Sequence, residues 1–144
     1  MALTDAIDKV IDIVNNDATL KGVYFGDQVA YSSYPIACVG TGEDFLLGEK
    51  FPVIAAQSVH DEKYIIGIVI MVKFEDDLAN AKSILTLTDT MRAALRADMK
   101  PPLSPLGGYC YQGSIGDSKY TTGAKGEIWL RISVTTIEYI KRII

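Results

Sequence analysis

A chain of 144 residues, 49% hydrophobic and 22% charged, is long enough for one domain with a sizeable core and too apolar for a disordered tail. Eighteen acidic against fourteen basic side chains leave a net charge of −4, which excludes an overall basic field for gripping nucleic acid or anionic lipid. Acids stand at Asp5 and Asp8, where an export signal would carry cations, and no long apolar run follows, so the expectation is a single domain over 1–144 without an export signal.

Thr4 is placed to N-cap a first helix, with Asp5 and Asp8 near its positive end. Ile7, Val10, Ile11 and Val14 repeat at the spacing of one buried stripe, and Asn15-Asn16-Asp17 ends it. A short segment, GVYFG, precedes a strand-like run, YPIACV, in which Pro35 is tolerable near the start or on an edge. The stretch 40–50 reads as a loop, and FPVIAAQS (51–58) as a further strand. That strand forms a hairpin with Tyr64–Phe74, turning near 60–63.

The segment YIIGIVIMVKF at 64–74 is the most apolar in the chain. As a helix it would extend only about 16 Å, roughly half of the ~30 Å a bilayer core requires. Its β-branched residues instead suit a pleated surface. Tyr64, Ile66, Ile68, Ile70, Val72 and Phe74 fall on one face, and Ile65, Gly67, Val69, Met71 and Lys73 on the other. Both faces are mostly apolar, the pattern of a central strand covered on two sides.

Asp76 or Asp77 caps the longest helix. Its inner stripe is traced by Leu78, Ala81, Ile84, Leu85, Thr88, Met91 and Leu95, and Pro101-Pro102 stops it. A polar tip at 117–126 then joins GYCYQGSI to the long final run EIWLRISVTTIEYIKRI. In that run Ile128, Leu130, Ile132, Val134, Thr136 and Ile140 alternate with Trp129, Arg131, Ser133, Thr135, Tyr139 and Lys141. The order is α-β-β-β-α-β-β. This is an α+β class, with a mostly antiparallel sheet of about four to five strands and two helices packed on one face. Two helices cover one face only, so the other is expected to meet a neighbouring subunit.

Residues that could carry chemistry do not form a catalytic, cofactor-binding or metal constellation. His60 is the sole histidine and sits in a turn beside Asp61 and Glu62, where a solvated role is expected. The glycines of 40–50 lack the GK[ST] of a phosphate loop. Glu43-Asp44 and Asp76-Asp77 read as solvated or capping acids. Cys38 and Cys110 form no CxxC motif; two buried thiols are expected, with a single disulfide left open. Arg92 and Arg96 lie four apart on the second helix, giving a solvated ion-paired face or an intersubunit contact. Asp117, Lys119, Tyr120 and Lys125 mark the hairpin tip as a candidate partner contact. Trp129, Arg131 and Tyr139 join Arg92 and Arg96 as candidate subunit-interface residues.

This succession of elements resembles the tail-terminator proteins of long-tailed bacteriophages and related phage-like injection machines. It is carried by the amphipathic first helix, YPIACV, the arms FPVIAAQS and YIIGIVIMVKF, the capped helix DDLANAKSILTLTDTMRAALRAD, a Gly-containing crossover and the final long hairpin. The resemblance implies a virion structural protein without enzymatic activity or cofactor. It implies a homo-oligomeric ring, typically a hexamer, that caps the tail tube, halts its polymerisation and meets the head connector. It further implies a lumen through which DNA passes without sequence-specific binding, and no membrane partner. The assembly site it implies is the host cytoplasm. Another head-to-tail joining or neck protein, and a small α+β enzyme or ligand-binding dimer, remain as alternatives.

Overall fold

The computed structural model describes residues 2–28, 31–41, 61–100, 104–108 and 110–142. The expected strand at 51–58, most of the preceding loop with Glu43-Asp44, and His60 lie outside the described residues, whereas Asp61, Glu62 and Lys63, expected in a turn, are strand residues paired along their length. Helix α1 spans Ala2–Val14, followed by strands β1 (Val23–Phe25), β2 (Ile36–Gly40) and β3 (Asp61–Lys73), helix α2 (Leu78–Met99), and strands β4 (Gln112–Lys125) and β5 (Ile128–Arg142). A short 3-10 turn, Pro105–Gly108, precedes β4. The class is α+β and the order is α-β-β-β-α-β-β.

The five strands form one sheet in the order β1-β2-β3-β5-β4. The β1–β2 pairing is parallel and the other three are antiparallel. GVYFG therefore supplies a strand of its own. Strand β3 occupies the centre, as its two apolar faces require. Its pairing with β5 runs without interruption from Asp61↔Arg142 to Lys73↔Leu130. No helix is long and apolar enough to cross a membrane among the described residues.

Period-two alternation divides β3 between two cores. Tyr64, Ile66, Ile68, Ile70 and Val72 meet Ala6, Ile7, Val10 and Val14 of α1 and Ile84, Leu87, Met91 and Leu95 of α2. Helix α1 packs over β1 and β2, and α2 over β3, β5 and β4. The inner stripe of α2 uses Leu87, while Leu78 and Leu85, expected inside, are 69% and 47% exposed. Helix α1 begins at Ala2, so Thr4 lies within its first turn and is not its N-cap. Asp77 is the N-cap of α2, accepting the Asn80 amide at 2.6 Å.

The opposite face carries a core of its own. Val69 and Met71 are buried there with Ile36, Cys38, Leu130, Ile132 and Val134, and Tyr31 packs among them, with Tyr24, Tyr34 and Ile128 at the margin. Strands paired in parallel cannot be joined by a tight hairpin. The longer connection between β1 and β2 brings Tyr31 and Tyr34 onto this face. The chain thus covers much of its second face itself.

Candidate assembly surface

The polar tip expected at 117–126 is for the most part strand. β4 runs to Lys125 and pairs with β5 from Gln112↔Ile140 to Lys125↔Ile128, closing in a tight turn at Gly126 and Glu127. Gly126 takes a left-handed φ of 61°, a conformation glycine adopts without steric cost. Among the described residues β4 has no partner on its outer side, so its edge presents unpaired backbone groups.

That edge is interrupted. The register with β5 shifts between Ile115 and Ser118, at a bulge made by Gly116 and Asp117. A Cβ on Gly116 would come within 2.8 Å of Thr136 Oγ1 and 3.0 Å of its carbonyl oxygen, so the close approach requires glycine. Arg92 reaches from α2 into the bulge and donates to Gly116 O at 2.6 Å and Ser118 Oγ at 3.0 Å. Ser118 Oγ in turn lies 2.7 Å from Thr135 Oγ1. Arg92 therefore ties the helix to the edge strand. One turn earlier, Thr88 Oγ1 lies 2.7 Å from Ile84 O and 2.8 Å from Ser133 Oγ. With one proton it donates to the carbonyl and accepts from Ser133.

Beside the bulge, α2 and β4 enclose an open groove of about 560 Å³. Arg92 and Arg96 line it at i and i+4 of α2, Lys100 adds a third cation from the helix's extended C-cap, and Met99 and Ile115 supply an apolar floor. Arg96 and Lys100 are exposed. Exposed aromatic side chains stand elsewhere along this end of the sheet: Tyr120 at 46% and Trp129 at 64%. Asp117 and Lys119 are also exposed on β4.

The remaining candidates are engaged inside the chain. Arg131 donates from Nε to Asn80 Oδ1 at 2.6 Å and stacks its guanidinium 4.3 Å from the Phe74 ring centre. Asn80 also donates to Lys73 O and accepts the Glu75 amide, so Arg131 braces the β3–α2 corner. Tyr139 is 0% exposed in the helix-side core, with no surface for a partner to touch.

Lys125 is buried on the second face. Its Nζ lies 3.0 Å from Asp27 Oδ1, with side chains 4% and 0% exposed, and donates to Gln28 O at 2.6 Å. Asp27 Oδ1 also accepts the Tyr31 hydroxyl at 2.6 Å and the Gln28 amide at 2.9 Å. Because Tyr31 spends its proton on Asp27, the Cys38 thiol 2.9 Å away is the donor in that pair. Burial pushes the Cys38 thiol up to about 12. It also raises the Tyr31 hydroxyl, helped by the hydrogen bond to Asp27. A neutral thiol and phenol in contact with a buried carboxylate make a structural clasp, and neither is an activated nucleophile.

Both cysteines are free and buried. Cys38 belongs to the second-face core and Cys110 to the helix-side core, so the sheet stands between them and a mutual disulfide is closed off. No group of three or more His, Cys, Asp and Glu side chains could hold a metal ion among the described residues.

No family model and no curated protein matches the chain. Among solved structures, one whose name describes no function covers 93% of this chain and 89% of its own. It is 11% identical, with a TM-score of 0.47, a likeness too slight to bear on role.

Proposed function

We propose that this chain is a ring-forming structural subunit of the tail-terminator type. It caps a tail tube at its head-proximal end, stops the tube from growing and offers a joint to the head connector. By its resemblance the ring is a hexamer that assembles in the host cytoplasm. Its net charge of −4 suits a lumen through which DNA passes without being held.

The observation that carries this reading is the inequality of the two ends of the sheet. At one end β1 is three residues long, with α1 over it. At the other, the 14-residue β4 is unpaired among the described residues, with exposed Tyr120 and the α2 groove beside it. A cyclic assembly joins two different complementary surfaces, and a chain with unlike ends meets that requirement. The bulge and Lys119 guard β4 against indiscriminate strand addition, which suits an edge meant for a defined neighbour.

The test is negative-stain imaging of tails assembled without this chain. Tubes of unregulated length support the proposal. Normal tails detached from heads would assign the chain to a neck position instead. Tails normal in length and attachment would overturn both.

A further inference from the structure

Resting on the ring reading, we infer that the α2–β4 groove receives the acidic ridge of α1 from a second copy of this chain. Asp5, Asp8 and Asp12 recur at i, i+3 and i+7 of α1, opposite the buried stripe of Ala6, Ile7, Val10 and Val14, and all three are exposed. Lys9 stands among them, so three carboxylates less one ammonium leave the ridge at −2. The groove carries three cations, Arg92, Arg96 and Lys100.

The two surfaces are complementary in sign and comparable in length. At 1.5 Å per residue the acids span about 10.5 Å along α1, while Arg92 and Arg96 span about 6 Å along α2 and Lys100 extends the row from the helix's C-cap. The two helices touch on one face of the sheet, but the ridge and the groove lie over opposite halves of it. α1 packs over β1 and β2, while the groove adjoins β4 at the far edge of the sheet. Within one chain the ridge therefore lies away from the groove, and contact between copies is heterologous and head-to-tail.

The bulge decides what kind of element the groove accepts. Because the bulge at Gly116 and Asp117 distorts β4 and Arg92 already occupies Gly116 O, the edge offers an added strand no regular ladder through this stretch. A helix laid against side chains needs no such ladder. Met99 and Ile115 give the incoming helix an apolar floor, and the exposed Arg96 and Lys100 supply its charge contacts. Arg92 is held by Gly116 O and Ser118 Oγ and acts mainly through its fixed charge.

The experiment is charge reversal on each side, read by sedimentation of the full chain at micromolar concentration, with tail tubes added where the ring needs a template. Arg96→Glu with Lys100→Glu is expected to weaken self-association about tenfold or more, and Asp8→Lys with Asp12→Lys to do the same. Both reversals in one chain are expected to restore it, which a merely misfolded variant could not do. Raising salt should weaken the wild-type assembly, as exposed charges are screened beyond about 8 Å at physiological ionic strength. An assembly that withstands either reversal would overturn the interface and leave the ring standing. Failure of the combined variant to reassemble, with each variant folded by circular dichroism, would also overturn it. A wild-type chain that stays monomeric both alone and on tubes would overturn the ring itself.

Discussion

The two faces of the sheet are built from the same strands and closed by different chemistry. On the helix side, aliphatic stripes from α1 and α2 meet Ile66, Ile68 and Ile70, and the polar contacts are small hydroxyl pairs such as Thr88–Ser133. On the other side, Cys38, Val69 and Met71 lie under Tyr31, which is pinned by the buried Asp27–Lys125 pair. Nonpolar packing is tolerant of substitution so long as volume is kept. A buried ion pair is not, because removal of one partner strands the other. The second face should therefore be the more brittle of the two.

The widest separation between the faces should come from Asp27→Ala. It leaves the Lys125 ammonium buried and unpaired, and a loss of about 3–5 kcal/mol in urea unfolding is expected. Asp27→Ala with Lys125→Met should recover most of that loss. If the single variant costs less than about 1 kcal/mol, the pair does not hold this face.

On the helix side, Leu95→Ala removes a fully buried side chain and should cost about 2–5 kcal/mol by the same measurement. No second substitution is expected to rescue it without refilling the cavity. Recovery by a distant charge change would break the distinction drawn between the two covers.

Alkaline titration sharpens the comparison through the two thiols. Burial raises Cys38 from 9.0 to about 12 and Cys110 from 9.0 to about 11. The unfolded chain releases these protons near 9 while the folded chain keeps them, so the unfolded state binds fewer protons across that window. Their contribution to stability is then intact below pH 9 and lost as pH rises toward 11 and 12. The urea midpoint should fall steadily over that range. A midpoint unchanged between pH 8 and 11 would contradict the burial of both thiols. Native-state alkylation at pH 8 should likewise leave both unmodified until denaturant is added.

The smaller effects lie at the margins of both faces. Asp77→Ala removes the N-cap of α2 and should cost about 1 kcal/mol. Trp129→Ala, at an exposed position, should change stability by no more than about 0.5 kcal/mol. A large loss at Trp129 would mean that it packs within the monomer and is not free for a neighbour.

The helix-covered face was largely legible in the sequence. The stripe of Ile7, Val10 and Val14 and the alternation of 64–72 depend on local periodicity alone, and both recur in the structure. The second cover was not legible, since Asp27 and Lys125 are far apart in sequence and no local pattern marks their meeting. The part of β4 from Asp117 onward reads as a loop tip because SKYTTGAK has turn-like composition and no apolar alternation. Its strand geometry follows from pairing with the strongly patterned β5, a non-local effect that overrides propensity. In α2, Leu85 and Leu87 compete for the inner position. The stripe of Ile84, Leu87, Thr88, Met91 and Leu95 prevails because it aligns over the whole helix.

The tight seat of Gly116 against Thr136 has a consequence for finding kin. A fold retained at low identity keeps few letters fixed, and side-chain preferences in a core can drift together. A backbone contact that admits no Cβ cannot drift in that way. A glycine in the penultimate strand, opposite a small hydroxyl residue in the last and within reach of a helix arginine, is a three-point fingerprint. It can be sought by geometry when sequence comparison has fallen silent.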